Sequence, residues 1–364
     1  MAHPGDLLRL ARQRRGMTQK DAASALQIAQ AVVSRLENRV IDADDEVLAR
    51  ASIVYDVPRE FFQITEPVYG PPVSVHAMLR GHSDVSAREI DMITAELNIR
   101  LFHIRRFLEN VNYTTTANVP VLDVERHEDV ARIAATVRAH WKLPNGPIGN
   151  LTDLMERAGI IIAASDFGGA QVSGVTFSAP GSPPIVLLNM AHPADRIRYT
   201  LAHELGHLVM HRFPTASMEN EANRFAANFL LPPNEIKQVF RGRKITLELL
   251  AALKKEWRVS MQSLLMSAHA HGFLTDNQNR YLWQQLSVRG WRLREPAELD
   301  FPHDAPSVLP AILKAHLGPL HYSVDDLVRL SNLHAHEFQR LYGNIIATQA
   351  DGETKLRPSL RLVT

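Results

Sequence analysis

The chain has 364 residues, a net charge of +1 and no cysteine, which excludes disulfides, thiolate metal sites and a cysteine nucleophile and is what a reducing compartment permits. That length leaves room for two or three domains, each able to bury a core. No run of about eighteen apolar residues occurs and the N-terminus has no apolar segment of signal-peptide length, so the expectation is a cytoplasmic protein with no membrane span.

The first stretch is uneven in charge. From Met1 to Arg39 seven basic residues face three acids, and a basic surface of this kind suits phosphate. Helices are expected in quick order at Asp6 to Arg15, Thr18 to Ala25, Gln30 to Asn38, Asp44 to Tyr55 and, briefly, Pro58 to Phe62. Gly16 ends the first and Thr18 caps the second. The string MTQKDAASALQIAQAVVSRLENR resembles an XRE-type helix-turn-helix. The resemblance implies a domain over residues 1–65 whose third helix enters the major groove of a double-stranded DNA operator. Gln30, Ala31 and Arg35 would read bases, with Ser34 close by, since glutamine offers a bidentate pair to adenine and arginine to guanine. Gln19, Arg14 and Arg39 are expected at phosphates. Gln27 holds the turn where glycine is common, which asks a residue with a side chain to accept a glycine-like backbone.

Residues 66–118 read as a linker and a long connecting helix. Thr65 to Gly81 is rich in proline and glycine. Ser86 and Glu89 then form a capping box, and Ile90, Ile93, Leu97, Leu101, Ile104 and Leu108 recur at spacings of three and four. Such a stripe could pair with its copy in a homodimer, but packing onto the following domain is the favoured reading.

Residues 119–275 form the next unit. Helices are expected at Asp129 to His140 and Thr152 to Ala158, the second stopped by Gly159 before a strand at Ile160 to Ala164. Val172 to Ser178 and Ile185 to Asn189 read as a hairpin. Its second strand, PIVLLN, could offer an edge to an extended peptide or be an ordinary half-buried strand.

Directly afterwards comes YTLAHELGHLVMH. His203 and His207 stand four apart, which on a helix stacks two imidazoles on one face within reach of one ion. Ile197, Leu201, Leu205 and Leu208 supply the helical periodicity this motif needs. A catalytic zinc takes three protein ligands and leaves its fourth position to water. Glu204 can then serve as the base that takes the water's proton and hands it to a leaving amine. Gly206 is expected to leave room over the metal. The third ligand should come from the next helix, MENEANRFAANFLL, stopped by Pro232 and Pro233. Glu219 is preferred because it shares a face with Ala222, Asn223 and Ala226, and Asn223 can steady a ligand from behind. Glu221 is the rival, and both acids also suit the positive end of their helix; His211 would stand two turns beyond His203 on a straight helix, too far to share an ion, and is expected to line the cleft or cap the helix end. Tyr199 and His211 are candidate oxyanion donors.

Together RIRYTLAHELGHLVMH, PIVLLN and ENEANRFAANFLLP resemble the ImmA/IrrE family of metallopeptidases. The resemblance spans Leu122 to Gly272 and maps the family's ligands onto His203, His207 and Glu219, with Glu204 as general base. It implies a thermolysin-like zinc fold that cleaves a protein such as a helix-turn-helix repressor or an antitoxin. Similar fused regulators of fatty-acyl metabolism suggest the alternative, a pocket that senses a ligand or is structural.

Residues 276–364 are expected to be helical, with Trp283 and Trp291 packing, two short helices between Ser323 and Tyr342, and a loose tail after Ala350. The fold class expected is α+β and mainly helical: an all-α head, an α/β metallopeptidase domain with a small sheet, and a helical C-terminal region.

Overall fold

A computed structural model describes residues 1–75, 85–127, 129–169, 172–347 and 360–362. The end of the expected linker and most of the tail lie outside these described residues. The chain is mainly helical α+β, as expected.

The head is built from α1 (Pro4–Arg14), α2 (Gln19–Leu26), α3 (Gln30–Glu37) and α4 (Asp45–Tyr55), followed by a 3-10 turn at Arg59–Gln63. Thr18 caps α2 through a capping box with Asp21, as its hydroxyl accepts from the Asp21 N–H. The α2–α3 turn is tight. Gln27 takes the left-handed conformation at φ 57° and ψ 43°, and the Ile28 N–H reaches the Ala23 carbonyl at 3.1 Å. Gln27 therefore does what glycine would do, at a backbone cost of about 1 kcal/mol or somewhat more.

The long helix α5 (Ala87–Leu108) begins at the Ser86–Glu89 capping box and has two apolar faces. Ile90, Ile93, Leu97, Leu101, Ile104 and Phe107 enter a core shared with the sheet and the C-terminal helices. Ala95, Ile99 and Phe102 enter the core of the head. A helix apolar on both sides is a buried helix, so the stripe packs within its own chain and α5 is a spine between two cores.

Next come β1 (Val111–Tyr113), α6 (Val124–His127), α7 (Val130–His140), α8 (Leu151–Arg157), β2 (Ile161–Ala164), β3 (Gly174–Phe177) and β4 (Ile185–Leu188). The sheet order is β2-β4-β3, with β2 parallel and β3 antiparallel to β4. Side chains alternate between the two cores. Ile162, Val186 and Leu188 face one, and Ile161, Ala163, Val175, Phe177, Ile185 and Leu187 face the other. Burial on both faces explains the unbroken apolar run of β4. It also corrects an expectation: β4, from the PIVLLN string, is central with a neighbour on each side, and the edge nearest the site belongs to β3.

The metal-motif helix α9 (Ala194–Met210) packs on α10 (Met218–Leu230), and α11 (Pro233–Phe240), α12 (Leu247–Trp257), α13 (Met261–Ala270) and α14 (Asp276–Val288) complete that core. Gly206 does not open space over the site. A Cβ there would stand 3.1 Å from Phe225 Cδ1 and 3.3 Å from Ala222 Cα, so the glycine lets α9 and α10 approach closely.

The C-terminal region is wired into the rest. The helices α15 (Val308–Leu317), α16 (Val324–Leu330) and α17 (Ala335–Ala347) join α5 in the second core. Buried Glu156 of α8 accepts from the Ser307 N–H at 2.8 Å and the Val308 N–H at 2.9 Å, capping α15. Buried Arg198 of α9 pairs with Asp304, and buried Lys254 pairs with Asp195 and Glu295. The tail is not loose throughout, because β5 (Leu360–Leu362) pairs antiparallel with β1.

Candidate metal centre

The site forms where α9 and α10 cross, held at short range by Gly206. The side-chain donors of His203, His207 and Glu219 all lie within 4.8 Å of one another. His203 Nε2 and His207 Nε2 are 3.0 Å apart, and Glu219 Oε1 is 3.1 Å from His207 Nε2 while Oε2 is 3.6 Å from His203 Nε2. Two donors on a tetrahedral ion with bonds of about 2.0–2.1 Å stand roughly 3.3 Å apart, so the three residues fit one metal ion of zinc's size. Glu221 is not part of the group and approaches His211 instead, at 3.0 Å.

Each histidine has a partner for its other ring nitrogen. Asn223 Oδ1 lies 3.1 Å from His203 Nδ1 and accepts from the Tyr199 hydroxyl at 3.1 Å. His211 Nδ1 lies 3.0 Å from His207 Nδ1. The Tyr199 hydroxyl and both ring nitrogens of His211 are thus engaged away from the centre of the site. Burial raises the Tyr199 hydroxyl to about 12. Burial also lowers the pKa of His203 and of His211, against the pull of nearby carboxylates.

Glu204 is 2 % exposed and accepts from the Thr176 hydroxyl at 2.6 Å. The sequence carried no sign of Thr176, because a threonine alternating with apolar residues is ordinary in a strand and its contact is made across the fold. The outward backbone of Thr176 is covered in turn by Ser74, whose hydroxyl donates to the Thr176 carbonyl at 3.1 Å and accepts from its N–H at 3.4 Å. Beside this contact runs a cleft of about 360 Å³ between the Tyr69–Ser74 segment, β3 and the end of α9, with His207 and His211 on its wall.

In the head, Gln30, Ala31 and Arg35 are exposed on α3, and Ser34 is half-buried with its hydroxyl accepting from Asn38. Gln19 donates to Glu37 at 2.9 Å, and Arg39 pairs with Asp6 at 2.6 Å on the surface. Arg14 departs from expectation: its side chain is 9 % exposed and pairs with Glu96 of α5 and Glu337 of α17, so it holds the head to the body and is not free for phosphate. Arg12 is likewise spent on buried Glu37, and Arg15 on Asp56. Of the local basic excess, Arg14 and Arg15 are therefore matched by acids from outside residues 1–39.

A helix-turn-helix family model matches residues 8–62, and a model described as an IrrE N-terminal-like domain matches residues 155–269. No curated protein matches the chain. Among the described residues no helix is long and apolar enough to cross a membrane. The chain is a fusion of an XRE-type helix-turn-helix domain with an IrrE/ImmA-like peptidase-family domain.

Proposed function

We propose that the chain is a cytoplasmic DNA-binding transcriptional regulator whose IrrE/ImmA-like domain is a zinc-dependent endopeptidase, cutting a protein partner such as a repressor or antitoxin. The supporting observation is the donor group of His203, His207 and Glu219 within 4.8 Å, beside a buried glutamate with no metal-binding task. When bound, zinc supplies Lewis-acid activation of water and of a substrate carbonyl. Glu204 takes the proton of the attacking water on one carboxylate oxygen and delivers it to the leaving amine nitrogen. Thr176 holds the other oxygen, fixing the carboxylate's direction. Asn223 orients His203, and Tyr199 acts through Asn223, which fits its geometry better than oxyanion binding. In this reading the unit boundaries follow the sequence expectation: head 1–65, connector 66–118, peptidase 119–275 and C-terminal helices 276–364. Gln30, Ala31, Ser34 and Arg35 face the operator bases, with Gln19 and Arg39 near phosphates.

The test is Glu204→Gln in the full chain, assayed in vitro against a candidate helix-turn-helix repressor. The variant should keep zinc and lose cleavage. A second reading, regulation without turnover through a ligand-sensing or structural pocket, draws on Ser74, which covers the strand edge that an extended substrate would use. Regulation in cells that is indifferent to Glu204→Gln would favour it.

A further inference from the structure

Glu221 and His211 lie outside the donor group, and the proton chemistry of Glu204 makes no use of them. They nonetheless form a continuous chain with a ligand. Glu221 Oε2 is 3.0 Å from His211 Nε2, and His211 Nδ1 is 3.0 Å from His207 Nδ1. A carboxylate only accepts, so His211 Nε2 carries the proton and donates it. A neutral imidazole has one N–H, so His211 Nδ1 is then an acceptor. The proton shared with His207 must sit on His207 Nδ1. That leaves His207 Nε2 with its lone pair, 3.1 Å from Glu219 Oε1 and 3.0 Å from His203 Nε2, the atom and direction a cation needs. The same logic at the other ring is shorter. Asn223 Oδ1, which can only accept, lies 3.1 Å from His203 Nδ1, so His203 Nδ1 donates and its Nε2 keeps its lone pair.

We propose that Glu221 and His211 are positioning residues for the metal site, a carboxylate–histidine relay that sets the tautomer and ring direction of His207 for a divalent cation. The proposal rests on the reading of His203, His207 and Glu219 as a metal site and is independent of turnover. It assigns His211 a task other than ligand or oxyanion donor, and Glu221 one beyond favouring a helix end. The relay is sheltered: the side chains of His211 and Glu221 are 3 % and 18 % exposed, so water competes weakly for these hydrogen bonds.

The experiment compares the full chain with its Glu221→Gln and His211→Gln variants in two measurements. The first is zinc affinity by competition with a chromophoric chelator. The second is the ring tautomers of zinc-free protein by ¹⁵N NMR. Loss of an outer partner of a ligating histidine weakens metal binding by about 10- to 100-fold, and that loss is expected in both variants. In the unaltered chain His207 should carry its proton on Nδ1, and in Glu221→Gln a fraction should move to Nε2, because an amide can donate to His211 and reverse the chain. A residue needed only for packing would not move the tautomer. Zinc affinities within twofold of the unaltered chain, with His207 still protonated on Nδ1, would overturn the relay. An unaltered chain that binds no zinc would overturn the metal-site reading, and the relay with it.

Discussion

Replacing Gly206 by alanine tests whether a missing side chain sets the spacing of the two helices that build the site. The added Cβ would meet Phe225 Cδ1 at 3.1 Å, Phe225 Cβ at 3.3 Å and Ala222 Cα at 3.3 Å. Carbon atoms prefer about 3.5–4.0 Å, so the helices must part by roughly 0.4 Å at this point. Neither neighbour can turn aside: one is backbone, and the Phe225 ring is fully buried and stacked on Phe229 at 5.4 Å. Overpacking of this kind costs about 1–3 kcal/mol, while alanine regains about 1 kcal/mol of helix propensity over glycine. The net expectation is a loss of about 0–2 kcal/mol of stability. Zinc affinity should fall more visibly, by about tenfold, because Glu219 rides on the displaced helix while both histidines ride on the other. Urea unfolding of zinc-free protein measures the first quantity and chelator competition the second. A variant stabilised by about 1 kcal/mol with unchanged zinc affinity would show propensity acting alone and would refute the close-approach argument.

In the head, Glu37→Ala leaves the Arg12 guanidinium buried without the carboxylate it contacts at 2.6 Å, at an expected cost of about 3–5 kcal/mol. Thermal unfolding and operator binding should both register it, and a loss under about 1 kcal/mol would contradict the buried-pair reading. Gln30→Ala should cost roughly 1–3 kcal/mol at one operator position; an even loss over all sequences in a binding screen would show that Gln30 does not read a base. Acid should loosen the clamp of the C-terminal helices on α5. Burial, helped by Arg100 and Arg14, holds the pKa of His103 well below 6.5, and burial lowers His316 too. Both rings gain a proton more readily once unfolded, so their contribution is complete above pH 6.5 and is lost as pH falls below it. Neighbouring Glu96 is itself buried, but Arg100 and Arg14 keep it ionised down to about 2, so it does not produce this slope. Denaturation midpoints at pH 7.5 and 5.5 should differ less in His103→Gln, and an unchanged difference would sink the assignment.

What could be read without coordinates was whatever depends on near neighbours in the chain. The capping boxes at Thr18 and Ser86, the helix carrying His203 and His207, the hairpin of β3 and β4, and the helical C-terminal region all follow from spacing, because i to i+4 geometry and strand alternation are local. The preference for Glu219 over Glu221 also rested on a helical face, and Glu219 is the acid whose carboxylate lies 3.1 Å from His207 Nε2. The fold alone decided whatever depends on which surfaces meet. It turned Gly206 toward α10, enclosed Arg14 between two glutamates, gave β4 two neighbours, brought Thr176 to Glu204 beside the donor group, and set Ser74 on the backbone of Thr176. It also gave α5 a second apolar face, seated on the head. These contacts join residues far apart in the chain, and no periodicity records them, since the free energy that selects them comes from burying two surfaces at once and not from either segment by itself.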